Sequence, residues 1–160
     1  LMNKAKWGNL NDPDVKVDRE SVRNHMMAKQ SYLRLAQALV AKNKNTEAIA
    51  VVDRLVKEFP NEKFTFDLYM LPLIDVYYRA GDTLKANNFL MTLAKVYGDN
   101  LTFYNQVDPK FATFYKEDSE EALMVLARLF SVAKQNKQPQ LIKELEGKYM
   151  LPDELIQMFN

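Results

Sequence analysis

The 160-residue sequence has no cysteine and a single histidine, His25. The first absence excludes disulfides, thiolate nucleophiles and zinc–sulfur sites, and it leaves the redox compartment open. The second removes the imidazoles that triads, histidine metal clusters and most general bases need. An excess of one charge is also missing. Lys+Arg 22 stand against Asp+Glu 21, so nothing in the balance draws the chain to nucleic acid or anionic lipid. No apolar run approaches the ~20 residues that cross a bilayer. No basic, apolar and small-residue leader pattern opens the chain, and Leu1 reads as the cut edge of something longer. There is no glycine-rich phosphate loop and no Gly-x-Ser-x-Gly serine. Apart from Lys63–Phe66, no segment alternates apolar with polar, so a sheet is not expected.

What is present is apolar and periodic. A 48% hydrophobic content with 4 glycines and 6 prolines suits one domain of roughly 100–150 residues or slightly more. Residues 1–18 carry no sustained period and read as a lead-in anchored by Trp7. Asp18 can cap a long helix that places Tyr32, Leu35, Ala36 and Leu39 on one face and ends near Asn43. After the turn Lys42–Asn45, Ala48, Val52, Leu55, Val56 and Phe59 line a second helix, which Pro60 stops. So short a loop makes the two helices antiparallel.

The arrangement recurs. Met70, Leu73, Ile74 and Tyr77 form a third face, with the start of that helix or a kink at Pro72 left open by the proline. Ala80-Gly81-Asp82 turns the chain, and Ala86, Leu90, Leu93, Ala94 and Tyr97 form a fourth helix ending at Gly98. Leu35 maps to Leu73, Leu39 to Tyr77, Ala48 to Ala86, Val52 to Leu90 and Leu55 to Leu93, all at an offset of 38. That offset is the ~34-residue tetratricopeptide period plus four residues, which fit the connection Asn61–Phe64. Tyr32, Leu35, Ala36, Ala48 and Pro60 are also of the residue types that tetratricopeptide packing places there, whereas Ile74 and Pro72 depart from it.

Beyond Gly98 the pattern is less regular. Leu101–Tyr104 reads as one short helix, and Phe111, Phe114 and Tyr115 require burial. Asp118 with Glu121 resembles a capping box before a helix lined by Ala122, Val125, Leu126, Leu129, Phe130 and Ala133. Asn136–Gln138 turns the chain, and Pro139 opens a helix bearing Leu141, Ile142, Leu145 and Tyr149. The expected fold is all-α: stacked antiparallel helical hairpins in a tetratricopeptide-like right-handed superhelix with C-terminal capping helices. Its parts are a lead-in at 1–18 and one helical-repeat domain at 19–160, with hairpins at about 19–60, 66–98 and 118–149 and a short helix at 152–159.

Candidate chemistry is sparse. His25 has no acid at i+3 or i+4 and reads as a packing or solvent-facing residue, so no metal and no cofactor are expected. Glu117, Asp118, Glu120 and Glu121 suit a helix N-terminus better than acid–base work. Most aromatics fall at core spacing. If the hairpins stack in the usual way, their first helices line a concave face, and the positions flanking the packing stripe look into it. Gln30, Leu33, Gln37 and Val40 come from the first hairpin, and Leu71, Asp75, Tyr78 and Arg79 from the second. These types suit a protein or peptide partner, unless the long first helix or the C-terminal hairpin covers the face. The alternative is recognition of a carbohydrate or acceptor glycan on exposed Tyr69, Tyr78 and Tyr104. An enzyme lacks a paired nucleophile and base.

Two strings go beyond generic repeats: Lys4-Ala5-Lys6-Trp7-Gly8-Asn9-Leu10-Asn11-Asp12-Pro13, and Phe66-Asp67-Leu68-Tyr69-Met70-Leu71-Pro72-Leu73 leading into Tyr77-Tyr78-Arg79-Ala80-Gly81-Asp82. They resemble the soluble C-terminal region of a Bacteroidetes multi-span membrane-protein family, itself similar to protein O-mannosyltransferase-like glycosyltransferases. The resemblance covers nearly the whole chain. It implies a non-catalytic accessory domain of an inner-membrane protein, facing the periplasm, which binds a protein partner or the membrane portion of its own chain. Catalytic acids of such proteins lie in the membrane portion, so no residue here inherits a catalytic role.

Overall fold

Three tight turns organise the chain, and all three have the same backbone. Asn43, Gly81 and Lys137 adopt left-handed conformations, with φ of 57°, 90° and 54°. The amide one residue further on reaches back five residues in each case, Lys44 to the Leu39 carbonyl at 2.9 Å, Asp82 to Tyr77 at 2.9 Å and Gln138 to Ala133 at 3.0 Å, while the amide of the left-handed residue itself reaches back three, to Val40, Tyr78 and Lys134. This double closure satisfies carbonyls that a helix end leaves without partners. Each turn then feeds directly into the next helix, through Ala48 to Lys44, Ala86 to Asp82 and Ile142 to Gln138.

The computed structural model describes residues 6–149 together with Met2 and Leu151, and of residues 19 and 21–24 the backbone alone. The helices are α1 (Arg19–Ala41), α2 (Asn45–Glu58), α3 (Leu71–Ala80), α4 (Thr83–Gln106), α5 (Lys116–Gln135) and α6 (Pro139–Lys148), with 3₁₀ segments at Leu68–Met70 and Pro109–Tyr115. Among the described residues there is no strand, and no helix is long and apolar enough to cross a membrane. The expected helix at 152–159 lies outside the described residues. The chain forms two compact units, Leu1–Ala86 and Asn87–Asn160.

In the first unit α1, α2 and α3 pack on one another. The stripe that α1 buries is Ala28, Tyr32, Ala36 and Val40, while Leu35 and Leu39 are only half-buried. The sequence reading placed Leu35 and Leu39 on the stripe and Val40 outside it. The alternation of small Ala28 and Ala36 with Tyr32 accounts for the shift, because alanines let the neighbouring helix approach while the tyrosine fills the space between. Trp7 anchors the lead-in: its indole N–H donates to the Tyr32 hydroxyl at 3.1 Å, and its ring meets Phe59 edge-on at 5.2 Å. His25 is buried and lies against Phe59 and Phe64. Pro72 does not kink α3. It stands in the first turn, where its missing N–H has no helical acceptor to lose.

The 38-residue offset holds in burial. Tyr32 and Met70, Ala36 and Ile74, Ala48 and Ala86, Val52 and Leu90, Leu55 and Leu93, and Phe59 and Tyr97 are all buried. Between α2 and α3 the connection is held locally. The Pro60 carbonyl accepts from the Lys63 and Phe64 amides, and the Asn61 side chain accepts from the Phe66 amide at 2.8 Å.

The second unit departs from expectation in three places. The helix expected to end at Gly98 runs on to Gln106 and absorbs Leu101–Tyr104. Gly98 is instead a close-contact position inside α4, where a Cβ would overlap the Tyr149 ring. The α5 helix starts at Lys116, so Asp118 sits within its first turn rather than capping it, and Tyr115 holds the cap position with no side-chain bond. Phe111 and Phe114 are exposed and Tyr115 is only half-buried. The core here comes from Leu90, Leu93, Ala94, Leu126, Leu129, Phe130, Ala133, Leu141 and Leu145, and α5 packs on α6 and on the 3₁₀ segment before it.

Candidate interaction surfaces

In the first unit, polar links tie the helices to one another. Lys29 is almost wholly buried on α1 and donates to Asp67 Oδ2 at 3.1 Å. A buried ammonium is costly unless paired, and Asp67 also accepts from the Tyr69 amide at 3.1 Å. That carboxylate therefore ties α1 to the 3₁₀ turn that launches α3. The Tyr77 hydroxyl donates to Asp53 Oδ1 at 2.9 Å, and Lys85 donates to Asp53 Oδ2 at 2.7 Å. Burial first, then the bond to Asp53 and the negative charge of Asp53 and Asp82, push the Tyr77 phenol far above its ordinary range. Tyr77 is thus a fixed hydrogen-bond donor that locks α3 to α2. Neither link was anticipated from the sequence. The one available sign was that Lys29 and Asp67 stand 38 residues apart, the repeat offset.

The residues assigned to a partner-binding face are not those that form these links. On α1, Gln30 and Gln37 are exposed and Leu33 is half-buried, and their i, i+3, i+7 spacing puts them on one side. On α3, Leu71 and Tyr78 are half-buried, while Asp75 and Arg79 are exposed. Arg79 pairs with Asp75 at 3.5 Å across one turn, a surface contact of little consequence for stability. Burial raises the Tyr78 phenol pKa. Val40 leaves the set because it is core.

The second unit carries an aromatic surface of which sequence reasoning named only Tyr104. The last turns of α4 and the 3₁₀ segment carry two groups of rings, Phe103, Tyr104 and Tyr115 in one and Phe111 and Phe114 in the other. Tyr104 and Tyr115 stack at 5.6 Å, and Phe103 meets both edge-on at 5.6 and 5.7 Å. Phe111 and Phe114 lie 6.4 Å apart. Phe103 is 54% exposed, Phe111 46% and Phe114 76%, and no residue of the 3₁₀ segment is itself buried. Lys110 Nζ stands 4.8 Å over the Phe111 ring and pairs with Asp108 at 3.2 Å. Partial burial, then the nearby carboxylates of Asp118 and Glu121, raise the Tyr104 phenol pKa. Of the three tyrosines proposed as sugar platforms, Tyr69 and Tyr78 belong to the first unit and Tyr104 to the second.

Among the described residues, no group of His, Asp and Glu side chains could hold a metal ion. No curated protein and no solved structure matches the chain. Residues 30–62, which run from the middle of α1 through α2, match the tetratricopeptide repeat family model. With the all-helical structure and the thrice-repeated turn, the match gives the chain a tetratricopeptide-like helical-repeat fold.

Proposed function

We propose that the chain is a non-catalytic interaction module, the soluble accessory part of a membrane-embedded glycosyltransferase-like protein on the periplasmic side of the inner membrane. Its α1 and α3 faces bind a protein partner or the membrane portion of its own parent chain. The observation that carries the reading is the division of labour on these helices. Tyr32, Ala36, Leu73, Ile74 and Tyr77 turn inward, while Gln30, Leu33, Gln37, Leu71, Asp75, Tyr78 and Arg79 stay at least partly open. Tetratricopeptide repeats commonly mediate protein–protein contacts, and a tyrosine beside an arginine is the composition of an interface hot spot. The membrane setting rests on the resemblance of the Trp7 and Phe66–Leu73 strings.

The test uses the full parent chain in its native cell, with a photo-cross-linking residue at Gln37 or Arg79. One defined adduct is expected, and Tyr78→Ala should lower its yield about tenfold, equivalent to ~1.4 kcal/mol of contact energy, with the helical melting curve unchanged. If Tyr78→Ala, Arg79→Ala and Leu33→Asp all leave the adduct intact, the reading fails.

A further inference from the structure

We propose that the aromatic surface of the second unit, Phe103, Tyr104, Phe111, Phe114 and Tyr115, docks a basic peptide segment of a partner protein in which Lys or Arg alternates with apolar residues. Large rings left open together mark interaction surfaces more often than stray exposed side chains do. Here three phenylalanines are about half exposed or more within one short stretch.

Charge selects the occupant. Residues 99–121 hold six acids, Asp99, Asp108, Glu117, Asp118, Glu120 and Glu121, against two lysines, in a chain whose net charge is only +1. Three of the six acids are matched by lysines, Asp99 by Lys95, Asp108 by Lys110 and Glu120 by Lys116. Glu117 and Asp118 form no ion pair among the described residues, and Glu121 accepts from the Tyr97 hydroxyl at 3.3 Å. Lys110 already lies over the Phe111 ring, so an ammonium is accommodated on that ring. Cation–π attraction and the neighbouring carboxylates would then act on the same incoming cation.

The same charges disfavour the other occupants. An anionic membrane or a phosphate backbone would meet like charge. A second copy using this patch on a two-fold axis would face an identical acidic rim. A neutral sugar would need open ring faces, and Tyr104 and Tyr115 each have one face covered by the other.

The test is a nuclear magnetic resonance titration of the ¹⁵N-labelled 160-residue chain with four probes: an alternating Leu-Arg octapeptide, its Leu-Glu and Ser-Arg counterparts, and maltohexaose. The Leu-Arg peptide should shift amides between Phe103 and Glu121 and leave α1 and α3 unmoved. Raising NaCl from about 50 to about 300 mM should weaken it at least ~threefold. Phe114→Ser and Asp118→Asn should each weaken it by about five- to tenfold, with far-ultraviolet spectra unchanged. Equal binding of the Leu-Glu or Ser-Arg peptide, shifts with maltohexaose alone, or no shift with any probe would overturn the proposal. Phe114 is largely exposed, so its variant tests binding without testing folding. The α1 and α3 faces are not involved, so the outcome is independent of the cross-linking result.

Discussion

The two units each gather five rings, and they use them in opposite ways. In the first, Trp7, His25, Tyr32, Phe59 and Phe64 interlock at centroid distances from 4.9 to 6.3 Å. Tyr32, Phe59 and Phe64 have 2% exposure or less. In the second, Phe103, Tyr104, Phe111, Phe114 and Tyr115 make comparable ring contacts, yet three of them keep about half or more of their surface in solvent. The pairwise geometry is similar, so ring-to-ring contact does not decide the difference. What decides it is a cover. The lead-in lays Trp7 over Tyr32 and Phe59, whereas no residue of the 3₁₀ segment Pro109–Tyr115 is itself buried. Aromatic contact inside a closed core stabilises a fold, and the same contact on an open surface leaves apolar area for something else to cover.

The largest test of this contrast is a pair of truncations. Phe59→Ala should cost about 3–5 kcal/mol, because it empties a fully buried site shared by Trp7, His25 and Phe64. Trp7 is the only tryptophan, so its emission should also move to the red as its environment opens. Phe114→Ser should stay within about 0.5 kcal/mol of wild type. Urea unfolding followed by fluorescence and circular dichroism measures both. Equal losses for the two variants would mean that Phe114 is covered after all, and the distinction between the units would collapse.

How much of this was legible beforehand follows the same line. The helices, the Trp7 anchor and the buried positions Tyr32, Ala36, Ala48, Val52 and Leu55 could be read, because amphipathic spacing reports which side of a helix is apolar. The stripe on α1 was misjudged by part of a turn, since Leu35 and Val40 are equally apolar and only the alanines at 28 and 36 say where the neighbour comes close. The Asp67–Lys29 and Tyr77–Asp53 links escaped because pairing across helices depends on their packing. The aromatic surface, Tyr104 excepted, escaped for a different reason: periodicity identifies apolar residues but not whether any element covers them, and Phe111 and Phe114 were assigned to a core that does not reach them. For the α1 and α3 face, sequence spacing supplied residues that the structure leaves accessible, Val40 excepted.

A sharper test asks whether the second unit, despite its open rings, is tightly packed elsewhere. Gly98 lies in the interior of α4 beneath the Tyr149 ring, with no room for a methyl group. Glycine inside a helix ordinarily costs ~0.5–1 kcal/mol relative to alanine, so Gly98→Ala would stabilise the protein if Tyr149 were absent. With Tyr149 present, the ring must be driven from its half-buried seat, and a net loss of about 1–2 kcal/mol is expected. The sign should reverse in a Tyr149→Ala background, giving a coupling that a double-mutant cycle in urea measures directly. Additive effects would show that the ring does not occupy the space over Gly98.

The smallest expected effect concerns the turns that the units share. Gly81 adopts its left-handed φ without a Cβ to obstruct it, and Asn43 belongs to a residue type that tolerates this region. Lys137 holds the same conformation with neither advantage. The turn persists because its two amide bonds, Lys137 to the Lys134 carbonyl and Gln138 to Ala133, close the end of α5. Lys137 is exposed, so replacing it removes backbone strain without disturbing a contact. Lys137→Gly should therefore raise stability by roughly 0.5–1 kcal/mol, while Gly81→Ala, the reverse change at the equivalent turn, should lower it by a similar amount. Opposite signs at the two positions in thermal unfolding would show that one backbone motif governs both hairpins. A loss at both would mean that the Lys137 side chain contributes more to its turn than the strain it carries.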